Sequence, residues 1–300
     1  MAMFEPKAQN PALAALLIFI ASAFIAGTTL FAKALGTETL GAPLSPFQIS
    51  HGRFLFAFMA IATAVAVMRP PLSRPHWRLH IGRTLFGWGG VTLMFASVAF
   101  IPMSDATAIS FLNPVFAMVL AIPLLKERVG PWRWSAAGIA LIGAVILLRP
   151  TPDSFQPAAF LALGAAVIMG LELIIIKKLS GRESPFQILL VNNALGLGIA
   201  TLAVLPVWQM PTLHQWMALV GIGLLMACAQ ACFVNAMARA DASFVAPFSY
   251  ATLIFAALYD FVGFDVIPDA ISLSGAVIIL SGALLLAWRE GYNKSLKSKA

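Results

Sequence analysis

The chain alternates long apolar runs with short polar ones. Continuous apolar stretches fall near 12–34, 46–68, 81–101, 104–124, 132–148, 157–178, 185–207, 214–237, 242–262 and 270–288. Each reaches or approaches the roughly 20 residues that a helix needs to cross the hydrocarbon layer. None alternates apolar and polar positions with a period of two, which argues against a barrel. In lipid a helix satisfies its own backbone hydrogen bonds, so the pattern predicts an all-α polytopic membrane protein with ten transmembrane helices. The first run, Ala12 to Ala32, follows Lys7 and contains Ala21-Ser22-Ala23, which looks like a signal-peptide cleavage site. It is longer than the roughly 7–15 residues of a signal h-region, so it reads as a retained membrane helix.

Composition sharpens this. Of 300 residues, 60% are hydrophobic and 10% charged, against roughly 45–50% and about 25% in soluble domains. A water-facing surface cannot be built from so few charges, and a disordered chain or a disulfide scaffold is excluded with it. The two cysteines, Cys228 and Cys232, sit one helical turn apart in an apolar run without metal-ligand neighbours, and read as core filling.

The net charge of +7 could suggest nucleic acid, but its placement argues against that partner. With a cytoplasmic N-terminus, Lys7, Arg69, Arg74, Arg78, Arg83, Lys126, Arg128, Arg133, Lys177, Lys178, Arg182, Arg239, Arg289, Lys294, Lys297 and Lys299 all fall on the cytoplasmic side. Only Lys33 and Arg149 fall opposite, and Arg53 lies inside a span. This asymmetry predicts an inner-membrane protein with both termini cytoplasmic, its basic loops against an anionic leaflet.

The chain also repeats itself. Ser45-Pro46-Phe47-Gln48-Ile49 recurs as Ser184-Pro185-Phe186-Gln187-Ile188, an offset of 139, and Gly143 pairs with Gly282 at the same offset. Asp105-Ala106 pairs with Asp241-Ala242, and Lys33 with Lys177, at nearby offsets. The expected division is two five-helix units, 1–150 and 151–300. A unit of five spans enters on one side and leaves on the other, so its copy starts inverted. Inverted repeats are characteristic of secondary transporters.

These residues carry a resemblance. Ile101-Pro102-Met103-Ser104-Asp105-Ala106, Leu112-Asn113-Pro114-Val115-Phe116, Leu125-Lys126-Glu127-Arg128 and the glycines Gly138 and Gly143 resemble the drug/metabolite transporter superfamily, in its tandem EamA-domain form. The second half keeps Asp241-Ala242 and Pro247, but has Phe264-Asp265 where a Leu-x-Glu is expected. Within the superfamily the chain is most similar to bacterial exporters of aromatic amino acids. The resemblance implies an exporter of small amphipathic metabolites, amino acids foremost, working by alternating access. It implies that a monomer suffices. It also suggests helices one, three, four, six, eight and nine as the cavity walls, with the fifth and tenth peripheral.

Polar residues within spans are the candidate site, because a central charge costs about 2.5–3.5 kcal/mol on insertion scales. Thr107, Ser110 and Asn113 share a face of the fourth span, and Ser243, Ala246, Ser249 and Tyr250 stand in the ninth. They suit either a cavity lining or close helix packing. Pro114 and Pro247 could open the backbone near a ligand or merely kink it. Arg53, whose repeat partner is Asn192, could hold a substrate carboxylate, pair with Glu172, or reach to the membrane interface. His51 nearby is a weaker candidate. Arg53 is expected to be the only deep basic residue, which favours neutral, zwitterionic or weakly charged solutes over nucleotide sugars and organophosphates. Glu172 could couple proton movement to transport or form a fixed ion pair; Asp260 reads as interfacial. Trp88, among the glycines of Gly87-Trp88-Gly89-Gly90, and Phe95, Phe111 and Phe248 are aromatic lining candidates. Gln230 and Asn235 point about 140° apart on a helical wheel, so at most one faces a cavity.

No cofactor and no metal is implied; the expected partners are a small-molecule substrate and the lipid bilayer. Gly-x-Ser-x-Gly, His-Glu-x-x-His and P-loop motifs are absent from the sequence. Tyr259-Asp260 has no second aspartate suitably placed for proteolysis, because Asp265 is only five residues away. An enzyme is therefore not expected, and a channel would want a continuous polar lining.

Overall fold

The computed structural model describes residues 10–125, 130–148, 156–180, 182–237, 239 and 248–299. Among these residues the regular structure is helical and no strand occurs. The helices are α1 (Pro11–Gly36), α2 (Pro46–Met68), α3 (Trp77–Val98), α4 (Met103–Ser110), α5 (Asn113–Leu125) and α6 (Pro131–Leu148). They continue with α7 (Ala159–Ser180), α8 (Pro185–Val204), α9 (Leu213–Met237), α10 (Ala251–Phe264) and α11 (Ala270–Lys299). Six stretches are long and apolar enough to cross a membrane: Ala12–Gly36, Pro46–Met68, Met103–Leu124, Ala159–Ile176, Phe186–Val207 and Leu213–Phe233. Trp134–Leu147, Ala251–Phe264 and Ala270–Gly282 are shorter apolar helices.

The repeated pentapeptide starts a helix each time for the same local reason. Ser45 accepts a hydrogen bond from the Phe47 amide and Ser184 from the Gln187 amide, both at 3.3 Å. Each serine thus caps orphan N–H groups, and the proline after it occupies a first-turn position that needs no donor. The fourth apolar run breaks in two. The Phe111 amide is shared between the carbonyls of Thr107 and Ala108, and the Leu112 amide bonds to Ile109. The turn tightens there, and Pro114, lacking an N–H, cannot return the chain to the α4 ladder.

Most helices find neighbours from the other half of the chain. α1 packs on α9 and α10, α2 on α8 and α9, α3 and α5 on α7, and α6 on α11. The α6–α11 contact is reciprocal. Gly143 faces the Gly275 carbonyl and Ile279, while Gly282 faces the Ala136 carbonyl and Ala140. Both partners of Gly282 lie 139 residues before the partners of Gly143. Contacts rise along α6 as they fall along α11, so the pair is antiparallel and its two-fold is perpendicular to both helices. A Cβ on either glycine would lie 2.7 Å from backbone of the other helix. This spacing requires glycine at both positions.

Hydrogen bonds define two ends of the bundle. At the upper end the Gln48 amide group donates to the Gln209 carbonyl (2.6 Å) and accepts from the Gln209 amide (3.1 Å). Gln215 donates to the Ala42 carbonyl at 2.8 Å. An open groove of about 520 Å³ lies here, lined by Leu44, Pro46, Phe95, Phe100 and Trp208 among others. At the lower end Gln187, the repeat partner of Gln48, accepts from the Ser73 amide at 2.6 Å. Each glutamine ties the start of its own helix to a loop from the other half.

Candidate functional site

Charge inside the bundle gathers along α3, which packs against α2 and against α7. α2 and α3 are locked at one level by a hydrogen bond from Thr92 to Ser50 (3.0 Å). The helices run antiparallel, so one turn further along brings Arg53 and Trp88 to similar depth. Arg53 is 5% exposed and its guanidinium carbon lies 4.4 Å from the Phe54 ring centre. Its Nε and Nη1 are buried without a hydrogen-bond partner, as is the indole Nε1 of Trp88. The Trp88 ring stacks on Phe47, with centroids 6.0 Å apart and 24° between planes.

Glu172 projects from α7 against Gly87, where a Cβ would come within 2.8 Å of its Oε1. Glycine at that position makes room for the carboxylate. Arg83 approaches it, with Nε 3.6 Å from Oε1, and donates through Nη1 to the Ile188 carbonyl at 3.1 Å. This corrects the expectation that Arg53 is the only deep basic residue. Arg83 is 7% exposed and lies on α3, six residues past the helix start. A signal for it was present: His80, Arg83, Thr84, Gly87 and Gly90 share one helical face, and all are buried. Thr84 donates to Asn192 (3.2 Å), and Asn193 donates to Gln230 (3.4 Å).

A second cluster surrounds the helix breaks. Phe111 meets Tyr250 edge to face, with centroids 5.0 Å apart. Ser22 on α1 donates to the Ser249 carbonyl at 3.4 Å. Asn113 begins α5, and its carbonyl would lie 3.0 Å from a Cβ at Gly170. Other candidates fall elsewhere. Phe95 lines the upper groove. Asn235 sits at the end of α9, accepting from Arg239 at 3.0 Å. His51 packs against Trp208. Phe248 is exposed. Asp241, Ser243, Ala246, Pro247 and Lys126 to Arg128 lie outside the described residues.

Two further charged clusters were not read from sequence. Asp260 was expected at the interface. Within the protein it is fully buried, ion-paired with Lys33, and accepts from the Met103 amide at 2.6 Å. It thereby caps α4. At the lower end, Glu183 accepts from the His76 amide (2.6 Å), the His76 ring (2.8 Å), the His80 ring (2.8 Å) and Gln187 (2.5 Å). Burial opposes ionisation of Glu183. The bonds from His80, His76 and Gln187 outweigh it and hold the carboxyl at about 2.

The EamA-like transporter family model matches residues 12–149 and again 156–288. The chain is 33% identical over 244 residues to a riboflavin transporter of Vibrio cholerae, covering 77% of this chain and 82% of that one. It is 28% identical over 257 residues to an S-adenosylmethionine uptake transporter of Rickettsia bellii, covering 85% and 88%. It is 25% identical over 247 residues to the pseudopaline exporter CntI of Pseudomonas aeruginosa, covering 80% and 84%.

Proposed function

The chain belongs to the EamA-like transporter family, and on that premise we propose that it is a secondary carrier of small amphipathic metabolites. It exports them, amino acids foremost, by alternating access between inverted repeats 1–150 and 151–300. The observation that carries this reading is the reciprocal, antiparallel contact of α6 and α11, in which Gly143 faces Gly275 and Ile279 while Gly282 faces Ala136 and Ala140. Two units related by a two-fold across the bundle can exchange conformations, giving states open to either face with similar energies. The reading places ten spans in the inner membrane of the cell, with both termini and the lower end cytoplasmic and the groove facing outward. A monomer suffices, since one chain supplies both halves.

The proposed cavity groups are Arg53, Trp88 and Glu172, with Asn113, Ser249 and Tyr250 near the helix breaks and Gln230 beside Asn193. Glu172 stands close to Arg83, which favours a charge-balancing role over proton carriage. A second reading is uptake or export of planar heteroaromatic solutes. It is favoured by the 33% identity to a riboflavin transporter and by the stacked Trp88–Phe47 pair.

Counterflow tests both. Purified protein in proteoliposomes loaded with unlabelled amino acid or riboflavin should accumulate the labelled solute transiently, faster than empty vesicles do. Uptake that never responds to trans solute would point to a pore and sink the carrier assignment.

A further inference from the structure

The charge of the solute follows from groups that sequence alone did not bring together. Arg53 and Arg83 are both buried, and Glu172 is a carboxylate that acts on each. Glu172 lies close to Arg83, and Arg83 has a further partner in the Ile188 carbonyl. Arg53 has no comparable partner: two of its nitrogens are buried without an acceptor, against the Nε alone of Arg83, and the indole nitrogen of Trp88 is likewise buried without one. Lys33, the other buried lysine or arginine of the first half among the described residues, is matched by Asp260. Two guanidinium groups against one carboxylate leave one surplus positive charge beside Glu172, where α3 packs on α2 and α7.

We propose that this junction is the binding subsite for the anionic group of an organic monoanion, held by Arg53 with the Trp88 indole N–H donating beside it. A carboxylate supplies the acceptors that these donors lack and makes the loaded site electrically neutral. A dianion would overcharge it. The ammonium of a zwitterion would meet two guanidinium groups, and to find a counter-charge it would have to take Glu172 from Arg83. The Trp88–Phe47 stack beside the subsite suits a planar group attached to the carboxylate. The proposal rests on the carrier reading for delivery of the solute and departs from its amino-acid preference, placing organic monoanions ahead of zwitterions and neutral solutes.

Equilibrium binding to the full chain in lipid nanodiscs separates the two claims, because it needs no transport. The probes share a planar framework: indole-3-acetate as monoanion, indole-3-acetamide as its neutral counterpart, tryptophan as zwitterion and phenylmalonate as dianion. The expected order puts indole-3-acetate first. Arg53→Gln should weaken it about tenfold or more while leaving the amide unchanged, and Arg53→Lys should recover part of the loss. Glu172→Gln adds a second surplus charge and should move preference toward phenylmalonate. Melting temperatures of the variants identify any that fail to fold, and the probe order on the unaltered protein stands without them. Binding of the amide or tryptophan at least as tight as the monoanion, or of no monoanion at all, overturns the proposal. If indole-3-acetate binds through Arg53 but no solute shows counterflow, the subsite survives and the carrier reading fails.

Discussion

Phe111 and Tyr250 stand 139 residues apart, the offset of the repeated pentapeptide, and their rings touch, 5.0 Å between centroids at 87°. A residue can meet its own repeat partner only close to the two-fold axis. Each also marks an interruption, after α4 on one side and before α10 on the other. The breaks therefore face each other across that axis.

Replacing either ring with alanine should lower the melting temperature in detergent. The double variant should lose less than the sum of the singles, with an interaction of about 0.5–1.5 kcal/mol as found for aromatic pairs. Strict additivity would mean that the rings do not support each other.

The buried Lys33–Asp260 pair should behave asymmetrically. Asp260→Asn strands a buried ammonium and weakens the cap on Met103, so a loss of about 3–5 kcal/mol is expected in chemical unfolding. Replacing both residues, as in Lys33→Met with Asp260→Leu, should recover much of that loss. A double variant no better than Asp260→Asn would show that the Met103 bond matters more than the charges.

At the lower end the prediction concerns pH. The carboxyl of Glu183 is lowered from 4.5 to about 2 in the fold, so its contribution is complete above the unfolded value. It declines as pH falls from about 4.5 toward 2, where the folded form takes up its proton. The difference in melting temperature between the unaltered protein and Glu183→Gln should be constant near neutrality and shrink across that acid interval. A difference that grows with acidity would contradict the bonds from His76, His80 and Gln187.

The α6–α11 contact gives a paired test with an internal control. Gly143→Ala and Gly282→Ala each drive a Cβ to 2.7 Å from opposing backbone and should cost about 1–3 kcal/mol, similar for the two. Gly138 lies on the same α6 and a Cβ there meets nothing within 4 Å. Gly138→Ala should be neutral or slightly stabilising, because alanine is the better helix former.

Sequence conveyed the scaffold far better than the site. The apolar runs marked helices, although the fourth broke in two and the start of the ninth lies outside the described residues, and Ser-Pro-Phe-Gln-Ile marked both a repeat and a helix start, because capping is local chemistry read from adjacent residues. Pro114 marked a break but not its form. The burial of Arg83 was missed because it is close in sequence to Arg74 and Arg78, and charge sorting is blind to which face of a helix a residue occupies. The Lys33–Asp260 and Glu183–His80 contacts join residues more than 100 positions apart. No periodicity along the chain reports such pairs; they exist only once the halves interlock.

The α6–α11 pairing has a consequence for how the polypeptide is made. α6 is complete by residue 148, yet its glycine face closes onto a helix that begins at residue 270. During ribosomal synthesis that face must wait in the lipid, or under the care of the insertion machinery, until the last segment emerges. Truncation before α11 should therefore leave an unfinished seam at the early half of the protein, and quality-control proteases would meet it there first.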